Sequence, residues 1–363
     1  MPQSVKLNFI NSFFLPALVI IISSCSSSNP ATDTEGVNYI KAYHPLIQEA
    51  ESEIVEQDFA DALALYEKAF AAVPEPFAID YYNAAVSALL ADEQKQVFNY
   101  LEKLALKGVS LEYLEGQQVF AGLQETKEWG KFRESYAKHR RKFRHRADLD
   151  LRADLDELYA KDQYYRQAER SIRVYADTIR KIENNNVKFL LNVIDERGYP
   201  GEALIGVADT LEQLPRFGIV IQRQTKATGG HDFSSILKDA VQQGRIRPQA
   251  AAYLIEQQGR GNFNSRAFVT VNCNNPENCE GSAFDGKYFR DKLTSSQLEM
   301  LNESRSELGL SSFPDYRKKV LYNMQDKRFK LSNYWSVKNY IVPSKEAANA
   351  LTERLVVADV KAD

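Results

Sequence analysis

"FADALALYEKAFAAVPEP", residues 59–76, decides the architecture of the N-terminal part of this chain. Ala62, Tyr66, Ala69 and Pro74 lie at offsets 0, 4, 7 and 12, so the first three share one face of a helix. The small residues let a second helix approach closely, the tyrosine fills the groove between the helices, and the proline cannot continue the helix. The stretch therefore predicts the second helix of a tightly packed hairpin.

The same spacing returns further along, where Val97, Leu101 and Leu104 repeat the first three offsets. The helix predicted between the two copies carries Tyr81 and Ala85 at packing positions. This pattern resembles two tetratricopeptide repeats, which implies helical hairpins whose concave face holds a protein partner. Any small hairpin bundle rich in alanine is the alternative. Since at least three such units are normally needed for independent stability, we expect the short array to dock on the domain that follows.

The N-terminus has the features of an export signal. The apolar run of residues 13–22 is shorter than the about 20 residues of a membrane-spanning helix, and a weakly positive start precedes it. Ile22-Ser23-Ser24-Cys25 then resembles the lipobox of bacterial lipoproteins. The resemblance implies a signal peptide at residues 1–24 and a lipid on Cys25, followed by a flexible tether that ends near residue 40. A plain secretory signal with a stray cysteine is the alternative.

The lipobox implies the cell envelope of a Gram-negative bacterium, with attachment to the outer membrane by the lipid on Cys25. After residues 25–40, with the lipidated cysteine and the tether, we expect a repeat region at 41–146, an α-rich domain at 147–325 and a C-terminal extension at 326–363. The net charge of -3 predicts no special partner, and nucleic acid is not expected outside the cytoplasm.

Residues 131–145, "KFRESYAKHRRKFRH", form a basic run, and the acidic residues 148–157 follow it. A solvated helix with compensating charges is the favoured interpretation of this pattern. Contact of the basic run with anionic lipid headgroups is the alternative.

A charged pair lies on a predicted apolar face. Leu151, Leu155 and Leu158 form one helical stripe, and Asp162 and Arg166 continue it. Charges on a face that should be buried must be paired with each other, solvated in a cleft, or functional. An ion pair that fixes helix register and a ligand-binding or catalytic site both remain open.

The remaining segments predict a mainly α domain with a minor β element. Helices are expected within residues 231–244, 247–259 and 294–309, each bounded by capping residues or glycine. Only "FGIVIQ", residues 217–222, and "RAFVTVN", residues 266–272, are rich enough in β-branched and aromatic residues to predict strands.

Residues 151 to about 322 resemble an uncharacterised bacterial domain family of unknown activity. The matching motifs are Asp162-Gln163…Arg166, Asn186, Gly198-Tyr199-Pro200, Ile205-Gly206, Gln222-Arg223 and Arg305…Gly309-Leu310. Two positions depart from the family: Arg223 replaces a histidine, and Glu256-Gln257 replaces an Asp-Arg pair. The resemblance implies a polar set rather than a reaction, with these candidate ligand-binding residues: Asp162, Gln163, Arg166, Asn186, Gln222, Arg223 and Glu256.

Other chemistry is sparse. Cys273 and Cys279 flank an Asn-Pro turn and are predicted to form a disulfide in an exported protein, whereas a zinc pair lacks further ligands nearby. No cofactor or metal is predicted, and no HExxH, P-loop or GxSxG motif occurs. The loop "GRGNFNSR", residues 259–266, offers backbone amides and arginines to an anion, but a plain turn is favoured.

Three functions are compatible with these observations. The favoured one is a lipid-anchored envelope module whose repeats hold a protein partner and whose C-terminal domain is structural or binds a small ligand. The first alternative is an exported enzyme of unknown reaction centred on Asp162, Gln163 and Arg166. The second is a glycan-capture outer-membrane lipoprotein, which the presence of only two tryptophans disfavours.

Replacing Cys25 by Ala should abolish membrane retention, because the thiol is the predicted attachment point of the lipid. Growth with a radiolabelled fatty acid should label the natural protein and leave the variant unlabelled. Labelled variant protein, or unlabelled natural protein, would refute the anchor.

Overall fold

Helices dominate the computed structural model of this chain, which describes residues 36–275, 277, 284 and 286–358 and only the backbone of residues 171 and 172. The α-helices of this part are α1 (Tyr39–Ala42), α2 (His44–Glu56), α3 (Phe59–Ala72), α4 (Ala78–Leu90), α5 (Gln94–Lys107), α6 (Leu111–Glu115), α7 (Lys127–Arg146), α8 (Leu149–Arg166), α9 (Ser171–Arg197), α10 (Glu202–Ile205), α11 (Gly218–Gln222), α12 (Ser234–Gln242), α13 (Pro248–Gln257), α14 (Ser295–Glu307), α15 (Phe313–Gln325) and α16 (Lys345–Thr352). The strands are β1 (Phe268–Cys273), β2 (Phe289–Asp291), β3 (Val337–Val342) and β4 (Leu355–Val357). The predicted fold class, mainly α with a minor β element, is confirmed.

The signal peptide, Cys25 and Cys279 lie outside the described residues. Within those residues, no helix has the length and apolar character that crossing a membrane would need. Cys273 is disulfide-bonded, and its pairing with Cys279 stays a prediction.

Helices α2 to α5 form two successive hairpins, α2 with α3 and α4 with α5. Asp58 caps α3 by accepting a hydrogen bond from the Asp61 amide (3.2 Å), and α3 ends two residues before Pro74. Ala62, Tyr66 and Ala69 have no exposed surface, as their spacing predicts. The same holds at the second copy of the spacing, where Val97, Leu101 and Leu104 are fully buried.

A segment of the chain's own C-terminal part covers helix α4. Every residue from Ala78 to Ala88 is buried. The Asn83 side chain donates to the Lys330 carbonyl (3.3 Å) and accepts from the Lys330 amide (2.8 Å), while the Tyr82 hydroxyl donates to the Arg328 carbonyl (3.2 Å). Phe329 between them is 1% exposed and belongs to the core of the array. This face of the array is therefore occupied from within the molecule.

A buried ion pair ties α2 to α15. Lys319 Nζ lies 2.9 Å from Glu51 Oε2 and also donates to the Gln48 carbonyl (3.0 Å). The Gln48 side-chain amide (Nε2) in turn donates to the Gly309 carbonyl (2.8 Å). The array thus contacts the C-terminal domain closely, as its small size led us to expect.

The prediction of a strand at residues 217–222 is wrong, because the segment forms the short helix α11. Its amides bond locally: Gly218 to the Pro215 carbonyl (2.9 Å) and Val220 to the Phe217 carbonyl (2.9 Å). The apolar run is buried between α8, α9 and α13, and no described strand lies beside it. Burial among helices therefore overrides its β propensity.

The predicted strand at residues 266–272 is confirmed as β1. It pairs in parallel with β3, from Phe268 opposite Val337 to Cys273 opposite Val342, and antiparallel with β2, giving the order β3-β1-β2-β4. Both β3 and β4 belong to the predicted C-terminal extension and were not expected to be strands. Their short, half-exposed sequences lack a clear apolar alternation.

Asp80 is a buried acid in the array, with its carboxylate accepting a hydrogen bond from the Tyr43 hydroxyl (2.6 Å). Burial, the largest cause, raises its pKa from 3.8 to about 7. Since the unfolded chain loses this proton near pH 4 and the folded chain keeps it, Asp80 makes folding less favourable as pH rises through this window. Nearby, burial lowers the pKa of His44 to about 3, an effect that reduces stability in acid instead.

Asp80→Asn should therefore stabilise the protein relative to the natural chain, with a difference that grows by up to about 4 kcal/mol between pH 4 and pH 7. Urea unfolding across this range measures the difference and cancels the His44 contribution. The exposed Asp92→Asn variant is the matched control. A constant difference between Asp80→Asn and the natural chain would contradict the expected titration.

Candidate functional site

Asp162 lies at the centre of a charged network between α8, α9 and α11. It is 4% exposed and follows the buried Leu155 and Leu158 on the same face of α8. Its carboxylate accepts hydrogen bonds from Arg166 Nε (3.1 Å) and Gln163 Nε2 (2.8 Å). Arg223 Nη2 lies 3.5 Å from the same carboxylate. Four of the candidate residues from the sequence are therefore brought together.

Glu183 completes this network and was missed by the sequence analysis. It accepts from Arg166 Nη2, so two carboxylates face two guanidinium groups. Glu183 sits between Ile179 and Asn186 on the inner face of α9, where both neighbours are buried. Glu183, like Asp162, is a charged residue on an otherwise buried helical stripe, so the same sequence pattern in α9 would have indicated it.

Asn186 and Gln222 have different roles. Asn186 Nδ2 donates to the Leu158 carbonyl (3.0 Å) and links α9 to α8 one turn before Asp162. Gln222 instead lines an open cleft described below. Among the described residues, the charges of the Asp162 network are paired within it, although Arg223 Nε is buried without a hydrogen-bond partner, and the network has the composition of a structural cross-link.

Glu256 is engaged elsewhere. Its carboxylate accepts from the amides of Phe263 (2.5 Å) and Ser265 (3.1 Å), both in the loop of residues 259–266. This loop does hold an anion, and the anion is a carboxylate of the same chain. The loop arginines are also occupied: Arg260 contacts Asp232 (3.2 Å), and Arg266 donates to the Tyr340 hydroxyl (2.9 Å).

Arg305, from the late family motif, stabilises the same loop. It is 1% exposed and donates to the carbonyls of Phe263 (2.5 Å) and Ser311 (2.8 Å). Burial lowers the pKa of Arg305 to about 10, and its guanidinium lies over the Tyr316 ring (4.9 Å). Glu256 and Arg305 therefore hold the loop in place.

A cleft of about 1080 Å³ opens where the end of the array meets the C-terminal domain. Tyr113 follows the last array hairpin, Tyr159 and Gln222 come from α8 and α11, and Lys327 and Tyr334 come from the segment after α15. Tyr159 is 36% exposed and Tyr334 is 58% exposed. A concave surface with accessible rings and amides is typical of a ligand-binding site.

The charges in the walls of the cleft are largely paired with one another. Glu212 contacts Lys330 Nζ (2.5 Å) and accepts from the Tyr113 hydroxyl (3.0 Å). Burial would raise the pKa of Glu212, but the hydrogen bond and charge of Lys330 lower it below its usual value. Arg216 likewise pairs with Asp209 (2.7 Å). The cleft therefore presents tyrosine rings and neutral hydrogen-bonding groups, which suit a polar ligand of low net charge.

The described lining of the cleft contains no cysteine or histidine. The pKa of its half-buried carboxylate at Glu212 is held below the usual value by Lys330. Outside the cleft, three carboxylates, Glu53, Asp58 and Asp61, approach within 4.8 Å of one another at the turn between α2 and α3. Two of them are exposed, and Asp58 caps α3.

Removing Asp162 should leave the cationic groups of Arg166 and Arg223 facing a single carboxylate. Asp162→Leu should therefore lower the free energy of unfolding by about 3 kcal/mol. Asp162→Leu with Arg223→Met should recover much of this loss, because the Arg166–Glu183 pair stays neutral.

Urea unfolding of the natural chain and both variants measures these differences. The double variant Asp162→Leu with Arg166→Met is the comparison. It removes the partner of Glu183, so it should recover less of the lost free energy of unfolding. Single and double variants that unfold like the natural chain would show that the network does not stabilise the fold.

Comparison with known proteins gives no relative. No family model, no curated protein and no solved structure matches this chain, so its function has to be inferred from its own geometry.

Proposed function

We propose that this chain is a lipid-anchored protein of the cell envelope that binds a polar ligand in the cleft between its helical array and its C-terminal domain. The observation that carries the proposal is the exposure of Tyr159 and Tyr334 within a concave surface of about 1080 Å³. Accessible aromatic rings and a few hydrogen-bonding groups in a concave surface are typical of ligand-binding sites.

The role of the array follows from its contacts. Its groove would be the expected binding surface for a protein partner, but Phe329 and the Asn83–Lys330 hydrogen bonds fill it. We therefore propose that the array is a rigid support for one wall of the cleft. Its end contributes Tyr113 to that wall.

The enzymatic alternative receives less support. Asp162 would have to act as a base or as a ligand-binding group, yet its carboxylate is nearly sealed from solvent and contacts Gln163, Arg166 and Arg223. A carboxylate that is 4% exposed and already contacts two arginines is poorly placed to reach a substrate.

If the ligand is a glycan, it would have to stack on tyrosine rings rather than on tryptophan. Trp129 is 1% exposed and Trp335 is 7% exposed and stacked on Tyr253, so both tryptophans are used within the protein. Tyr159 and Tyr334 are the rings left for a ligand in the cleft. Oligosaccharides and short peptides both fit such a polar, aromatic surface.

Isothermal titration with a panel of neutral oligosaccharides and short peptides tests the site. Tyr159→Ala and Tyr334→Ala should each weaken binding at least about tenfold, since an aromatic contact at a desolvated site is typically worth a kcal/mol or more. Tyr164→Ala is the matched control, because this ring is 73% exposed on the same helix as Tyr159 but outside the cleft.

All three substitutions remove exposed rings, so thermal melts should show unchanged folding. Absence of binding across the panel, or equal losses in the cleft variants and the control, would rule out this cleft as the binding site.

A further inference from the structure

The outer face of α7 is strongly basic. Trp129, Phe132 and Phe143 are buried and place one side of the helix against the array. At 100° per residue, Lys131, Lys138 and Lys142 fall within about 40° of one another on the opposite side. All three lysines are exposed. They form a stripe along a helix about 30 Å long.

Further cations border this stripe. Arg141 and His145 are exposed beside it, and Glu134 is the acidic residue on the same side. We call the outward surface formed by these six residues the basic face: Lys131, Glu134, Lys138, Arg141, Lys142 and His145. It presents four permanent positive charges against one negative charge.

These charges are not neutralised within the described part of the chain. Three other basic side chains of α7 do lie near carboxylates: Arg133 near Glu115, His139 near Glu102, and Arg146 near Glu75. None of those three lies on the basic face, and no ion pair of the described residues involves Lys131, Lys138, Arg141 or Lys142.

The acidic run that follows α7 does not compensate for the basic face. The chain turns at Ala147, which is extended (φ -77°, ψ 142°), and three of the five acids in residues 148–157 have cationic partners outside α7. Asp148 pairs with Arg197 (3.1 Å), Asp156 with Arg152 (3.8 Å), and Glu157 with Lys161 (3.1 Å). The expectation of a compensated helix is therefore not met by the ion pairs of this region.

We infer that the basic face binds the anionic headgroups of a membrane surface. A row of Lys and Arg along a helix attracts anionic lipid through the surface potential, with a gain of about fivefold in affinity per residue. The basic face carries no large apolar side chain to insert, so the contact is peripheral and salt-sensitive.

An anionic membrane is a more favourable partner for the basic face than an acidic protein is, because the chain is proposed to be lipid-anchored. This step rests on the proposed lipidation of Cys25. A flexible chain as long as the tether predicted for residues 26–38 would span about 20 Å on average and would keep the folded part close to the bilayer. At such proximity a weak electrostatic contact is intramolecular and is made at high effective concentration, whereas a soluble acidic partner lacks this advantage.

Vesicle flotation tests the inference without the anchor. Residues 31–363 form one unit by their contacts, so a chain that begins at residue 26 keeps every described interaction. This chain should float with vesicles of phosphatidylglycerol and phosphatidylethanolamine at low salt. It should not float with phosphatidylcholine vesicles, nor with the anionic vesicles at high salt.

Substitution Lys131→Glu, Lys138→Glu and Lys142→Glu should weaken binding to the anionic vesicles at least about 100-fold. The matched control is Lys68→Glu, Lys95→Glu and Lys103→Glu, which makes the same change in net charge at exposed sites on α3 and α5. The control should keep most of the affinity, and melts should show that both variants fold.

Equal losses in the two triple variants, or equal binding to neutral and anionic vesicles, would overturn the inference. Tighter binding to soluble polyglutamate than to anionic vesicles would overturn it in favour of an acidic protein partner. None of these outcomes bears on ligand binding in the cleft or on fatty-acid labelling of Cys25, so the two proposals fail separately.

Discussion

The side-chain amide of Asn83 joins helix α4 of the array to the segment after α15. It bonds both backbone groups of Lys330, and the neighbouring Phe329 enters the core of the array. An asparagine with no exposed surface must satisfy its donors and its acceptor, and an extended backbone segment provides both in the right geometry. The position of the segment after α15 therefore follows from this contact, and one wall of the cleft follows from the segment.

Other buried and half-buried polar contacts also fix how the array meets the rest of the chain. The Lys319–Glu51 pair is buried between α15 and α2, and Glu202 accepts from the Ala78 amide (2.9 Å) at the start of α4. Such pairs add little net stability over an apolar contact, but a misaligned interface would leave buried charges without partners. We attribute to them a role in register. The apolar core around Phe329 provides most of the stabilisation, and the polar pairs select one arrangement.

The charged residues on the stripe of α8 also have a structural role. The charge of Asp162 interrupts a buried face, and the sequence left open whether it is an ion pair that fixes helix register or a functional site. The structure surrounds it with Arg166, Arg223 and, through Arg166, Glu183, so the charges cross-link three helices. The exposed polar surface lies beside this network, in the cleft that Gln222 helps to line. A rigid network next to an open cleft is a suitable support for a binding surface, since it holds the walls in place without taking part in contact.

Local chemistry was readable from the sequence, and long-range pairing was not. Helical periodicity, the capping box of α14 and the position of Asp162 on the leucine stripe of α8 depend on residues within one or two turns, so the sequence by itself determined them. What covers α4, which carbonyls and amides engage Glu256, and the pairing of β1 with β3 depend on contacts between segments far apart in the chain. A buried face requires a partner but does not specify which one. Only the tertiary structure decided that α4 is covered by a later segment of the same chain and that a cleft opens where the array meets the C-terminal domain.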